Sequence, residues 1–141
     1  MRKFKSAVAI GAAALAIVLA GCSGGGSSAP AGDGSSSAVT LQMQDIKYDK
    51  TALTATKGQT LTITLNNTGA LDHDFTIDKI EGAAKFDGKD PKADNVAIKA
   101  VLKAKASGKL EITPAAAGTY DFYCSVPGHK DAGMKGKLTV N

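Results

Sequence analysis

Near the C-terminus, the stretch Tyr120-Asp-Phe-Tyr-Cys-Ser-Val-Pro-Gly-His-Lys-Asp-Ala-Gly-Met134 limits what this chain can be more than any other segment. It carries a thiol, an imidazole and a thioether in Cys124, His129 and Met134, with four residues between each pair. Each can give an electron pair to a soft metal. The second of the chain's two histidines, His73, lies far upstream. A fold that uses all four must bring distant segments to one point.

Flanking patterns say what kind of fold that is. Val39, Leu41 and Met43 alternate with polar residues, the period of a half-buried strand. Thr51–Thr56 is a short second run closed by Lys57 and Gly58, and Gln59–Asn66 alternates with Leu61, Ile63 and Leu65 on one face. Asn66–Gly69 reads as a turn, and a strand begins at His73 and carries Phe75 and Ile77. Residues 80–95 are rich in Gly, Lys and Asp and read as a loop with room for one short helical turn. Residues 96–105 read as a strand, a short helix being the alternative. Gly108 is expected to separate that element from a strand over 109–113, and 114–118 to form a turn. Strands over 119–124 and 135–140 complete the chain. Short strands at regular spacing predict an all-β sandwich or barrel.

Alternation also aims the side chains. Tyr120, Phe122 and Cys124 share the inward face of their strand, while Asp121 and Tyr123 share the wet one. Pro127-Gly128 suits a tight turn that returns His129 to the thiol, and the segment ending in Gly133 does the same for Met134.

The N-terminal region reads differently. Residues 1–21 resemble a signal peptide: Arg2, Lys3 and Lys5 precede an apolar run from Ala7 to Ala20, too short to span a bilayer. The run ends in Leu19-Ala-Gly-Cys22, which resembles the lipobox of bacterial lipoproteins, so Cys22 is the expected lipidation site. More than one acyl chain gives durable anchoring. Residues 23–37 are a Gly/Ser tether with a reach of roughly 20–24 Å, leaving 38–141 as the folded domain. The formal charge of +4 largely belongs to the leader: without its three cations, 14 basic residues face 13 acidic ones. Nothing in that balance calls for nucleic acid.

Two imidazoles, a thiolate and a weak thioether form the ligand set of a blue-copper centre. Each residue alone has a plainer reading as core or surface. Zinc has little use for the thioether, an iron–sulfur cluster usually needs more cysteines, and attached haem needs a Cys-x-x-Cys-His motif that is absent. A Cys–His nucleophilic pair would lack any pocket signature.

The loop from Cys124 to Met134 resembles that of the cupredoxins, the small blue-copper proteins, and the Tyr120–Cys124 strand resembles that of plastocyanins. The long Cys-to-His gap, with Pro-Gly-His and Ala-Gly-Met, is most similar to the auracyanins, membrane-tethered relatives of azurin and plastocyanin. The resemblance implies a Greek-key β-sandwich with one type 1 copper at its tip, held by Cys124, His129 and His73, with Met134 axial. It implies an electron carrier; a copper enzyme such as a nitrite reductase or multicopper oxidase would need further histidines for a second copper centre, and both histidines are already used. The partners implied are membrane-bound or soluble redox proteins, such as a cytochrome complex, oxidase or reaction centre, met outside the cytoplasm or in the periplasm by a monomer. The main electron port would be the His129 edge amid Val126, Pro127 and Ala132, and Tyr123 would be a second port. A copper chaperone serving an extracytoplasmic oxidase is the alternative. One position departs from the pattern: Asp74 stands where the family usually has an Asn that ties the two ligand loops together. An ionised Asp accepts hydrogen bonds but cannot donate them. Charges around the candidate ligands are mixed, with Asp72 and Asp74 flanking His73, and Lys130, Asp131 and Lys135 flanking His129 and Met134, which predicts only modest electrostatic steering.

Overall fold

A computed structural model describes residues 37–89 and 96–141. The expected leader, lipobox and tether fall outside the described residues, apart from Ser37. Ten strands form two five-stranded sheets, and there is no helix among the described residues. One sheet runs β2 (Lys47–Tyr48), β1 (Ser37–Gln44), β4 (Leu61–Asn67), β8 (Ser107–Pro114), β6 (Gly82–Phe86). The other runs β3 (Ala52–Ala55), β10 (Lys135–Val140), β9 (Gly118–Tyr123), β5 (His73–Ile80), β7 (Val96–Leu102). Pairing is parallel for β1 with β4 and for β3 with β10, and antiparallel elsewhere.

The alternating residues explain the two layers. Leu41, Met43, Leu61, Ile63, Leu65, Leu110 and Ile112 are buried on the first sheet. Phe75, Ile77, Ile98, Ala100, Phe122 and Leu138 are buried on the second. Side chains at every second position reach one face, so each strand buries its apolar set against the facing sheet. The Phe75 and Phe122 rings stack at 4.9 Å, and Tyr48 tilts onto Phe122 at 5.4 Å. The Tyr48 hydroxyl donates to the Asp74 carbonyl at 2.6 Å, so its polar end is satisfied inside the core.

Two local expectations are corrected, and one strand was not anticipated. Within the expected loop, residues 82–86 form strand β6, paired along β8 from Gly82↔Pro114 to Phe86↔Leu110. The rest of that loop, residues 90–95, lies outside the described residues. Only Ala84 on β6 is fully buried, so no clear alternation advertised this edge strand. Gly108 does not separate two elements. It lies inside β8 opposite Leu65, and the turn falls earlier, where Lys105 takes a φ of 62°. Finally, β2 is a two-residue strand with no periodicity to read.

Gly136 sits opposite Phe122 in the β9–β10 ladder. A Cβ there would run into the Phe122 ring and the Thr51 carbonyl. Gly136→Ala should therefore lower unfolding free energy by about 1–3 kcal/mol in urea titration, the usual cost of overpacking. An unchanged midpoint would mean that the strand yields freely.

Candidate metal centre

Two neighbouring strands of one sheet and the loop after Tyr123 build the centre. Cys124 follows the last residue of β9, Met134 precedes the first of β10, and His73 opens β5. The Cys124 N–H donates to the Met134 carbonyl at 3.0 Å, closing the loop at its base. Inside it the His129 N–H donates to the Val126 carbonyl at 3.0 Å, with Gly128 at a φ of 84°. Pro before a Gly of positive φ is the pattern of a type II turn, as the sequence anticipated. The Met134 N–H donates to the His129 carbonyl at 2.9 Å, and Gly133 takes a φ of 103°. Backbone bonds therefore link Met134 to both Cys124 and His129.

The side chains converge. Cys124 Sγ lies 3.5 Å from His129 Nδ1 and 3.9 Å from His73 Nδ1. One donor atom from each of the three residues falls within 4.8 Å of the others. Cys124, His73 and Met134 are fully buried, and His129 is 8% exposed. Two imidazoles and a thiol this close, with a buried thioether on the same loop, make a possible site for one soft metal ion. Burial, followed by repulsion from His129, holds the His73 pKa below its ordinary 6.5, so the ring stays neutral and able to ligate. Burial raises the Cys124 thiol above its ordinary 9.0. Without a cation, the pocket disfavours the thiolate.

The surroundings answer the question that Asp74 posed. Its carboxylate accepts from the Ser125 N–H at 2.8 Å, the Ser125 hydroxyl at 2.7 Å and the Thr76 hydroxyl at 2.9 Å. Three donors converge on it, so an acceptor-only side chain suits the position. Asp74 thereby ties β5 to the loop after Cys124. Its own N–H points at Cys124 Sγ, 3.5 Å away.

Three contributors were not legible beforehand. Asn67 is buried, and its amide reaches the carbonyls of Leu71 and Lys103 at 2.8 and 3.0 Å, fixing the approach to His73. Asp45 accepts from the Ala70 and Leu71 N–H groups at 2.8 and 3.3 Å, and its Oδ1 stands 3.8 Å from the buried His73 Nε2. Tyr48 holds the Asp74 carbonyl. All three act across the fold, and only Asn67, in the expected turn, carried any local signal. Among the expected surface residues, Val126 and Tyr123 are half-buried, and Pro127 and Ala132 are exposed. Tyr123 faces outward, as alternation required, and its hydroxyl bonds the Asp78 carboxylate.

Known proteins share this frame. The family model described as a Cupredoxin-like domain matches residues 11–140. Auracyanin-A of Chloroflexus aurantiacus is 34% identical over 150 residues, covering 91% of each chain. The copper-resistant cuproprotein CopI of Rubrivivax gelatinosus is 29% identical over 113 residues, covering 72% of this chain and 65% of the relative. Dithionite-reduced auracyanin from Roseiflexus castenholzii superposes with a TM-score of 0.59 at 30% identity, covering 75% of this chain and 98% of the other.

Removing the Asp74 carboxylate strands the Ser125 N–H and two hydroxyls. Asp74→Ala should cost about 2–3 kcal/mol of unfolding free energy, whereas Asp74→Asn, which keeps an acceptor oxygen, should cost about 1 or less. Equal losses in both would show that the negative charge, not the hydrogen bonding, holds the loop.

Proposed function

Because the chain belongs to the cupredoxin-like family, we propose that it is a blue-copper electron carrier, with one type 1 copper held by His73, Cys124, His129 and Met134. The observation that carries this reading is the meeting of Cys124 Sγ with two histidine Nδ1 atoms inside a buried pocket. When bound, copper supplies a one-electron Cu(I)/Cu(II) couple. The residues supply the rest. The two imidazoles and the thiolate would be the strong donors, and the Met134 thioether the weak fourth. Backbone bonds at Cys124, His129 and Met134, with Asp74 clamped on Ser125, hold the donors in place, so little rearranges as charge changes. Burial of Cys124, His73 and Met134 keeps bulk water from the donors. His129 has the most exposed edge of the four and lies in a loop with Val126, Pro127 and Ala132, which makes that edge the main port.

Upstream, we propose that residues 1–21 are removed, that Cys22 is lipidated, and that 23–37 tether the 38–141 domain to a membrane outside the cytoplasm. Redox proteins there would be its partners. A second reading, copper delivery or resistance, draws on the likeness to CopI. A buried set of donors opposes it, since delivery favours exposed and exchangeable ones.

The copper(II)-loaded protein should show an intense visible charge-transfer band that Cys124→Ser abolishes. A colourless wild type holding zinc would defeat the carrier reading, and rapid copper loss to an apo acceptor would favour delivery. The anchor has its own check. The mature chain should partition into the detergent phase of Triton X-114, and Cys22→Ser should move it to the aqueous phase.

A further inference from the structure

Beside the metal centre, the outer face of the second sheet carries a basic cleft of about 350 Å³, which Lys130, Lys135, Lys137, Asp121 and Tyr123 help to line. Lys130 Nζ sits 3.7 Å over the Tyr123 ring, a cation–π contact. Lys135 faces Tyr123 across the β9–β10 ladder, and Lys137 faces Asp121 and pairs with its carboxylate at 2.8 Å. The row continues from Tyr123 through Thr76 to exposed Lys99. Three ammonium groups therefore line the cleft with one carboxylate, Asp121; outside it, Lys99 and Asp78 stand near Tyr123, whose hydroxyl engages Asp78. The Asp121 carboxyl is held below its ordinary range by Lys137, with Lys130 and Lys135 adding to the field.

The acids expected to balance these lysines are mostly elsewhere. Asp72 pairs with Lys103 at 2.7 Å, and Asp74 is buried beneath Ser125. Asp131 is exposed but does not line the cleft. Near-neutral sequence bookkeeping thus conceals a local positive field.

We propose that this cleft docks a protein partner through an acidic surface patch, seating it against Tyr123. The cleft is concave, and protruding carboxylate side chains can enter it where a flat lipid surface cannot. Tyr123 is bonded directly to Cys124 along the chain, so a partner seated there faces a short covalent path to the sulfur. That last point rests on the electron-carrier reading, whereas the docking itself does not. Copper held by the four donors would supply the single electron, and the partner's one-electron acceptor would take it.

The test compares the full chain with two charge-reversal variants of equal net charge. One is Lys130→Glu/Lys135→Glu/Lys137→Glu, and the other is Lys47→Glu/Lys57→Glu/Lys89→Glu, at exposed sites elsewhere in the fold. Poly-L-glutamate serves as the acidic probe at low salt, in the absence of copper, so this arm stands whether or not the chain carries electrons. The cleft variant should lose about tenfold or more in affinity, and the control about threefold or less, because local complementarity exceeds bulk charge. In the copper(I) form, oxidation by hexacyanoferrate(III) should slow in the same order. Equal losses in the two variants, or none in either, overturn the proposal. So does loss of binding to phosphatidylglycerol vesicles by the cleft variant with polyglutamate binding intact, which would assign the face to a membrane. Should circular dichroism show the Glu variant unfolded, Lys130→Ala/Lys135→Ala/Lys137→Ala gives the same comparison without added repulsion.

Discussion

Thr76 faces Tyr123 across β5 and β9, and the centre depends on that register. Once those residues pair, Asp74 stands opposite Ser125 and accepts its N–H, and the Asp74 N–H meets Cys124 Sγ. His73, one residue back, then projects its ring into the same pocket as the thiol. A slip of one residue would turn Cys124 outward and Tyr123 inward, because strand side chains alternate. The stacked Phe75 and Phe122 rings oppose such a slip, since both would leave the core together.

The donors are held by groups that do not themselves ligate. Asn67 and Asp45 brace the approach to His73, Asp74 and Tyr48 brace the start of the Cys124 loop, and main-chain bonds brace its end. Such outer contacts orient ligands and tune the ion they hold. The constraint is spread over both sheets: Tyr48 and Asn67 come from the first, His73 and Asp74 from the second. A metal centre of this kind is a property of the sandwich rather than of one loop.

Much of this was legible in the chain itself. Leu61, Ile63 and Leu65 announced β4 because one face of that strand is wet and the other buried, and Pro127-Gly128 announced the turn before His129. The four candidate donors could be picked out because soft-metal donors are scarce here: two histidines, two cysteines and three methionines in 141 residues. Strand β6 was hidden because it is an edge strand with one fully buried side chain, Ala84. Asp45 was hidden because a turn aspartate that accepts backbone N–H groups looks in sequence like any solvated one. Asp74 looked like a flaw for a related reason. Hydrogen-bond direction depends on Ser125 and Thr76, one of them 51 residues away.

The placement of β10 has a consequence for how the molecule comes into being. This final segment is not an edge; it lies between β3 and β9, parallel to one and antiparallel to the other. β3 therefore joins its sheet only through β10, and contacts of such long sequence separation form slowly. Met134 stands at the start of that segment, and its carbonyl accepts the Cys124 N–H, so the donor loop is closed at its base only with β10 beside β9. Docking of one strand thereby seals the sheet and secures the donor loop together.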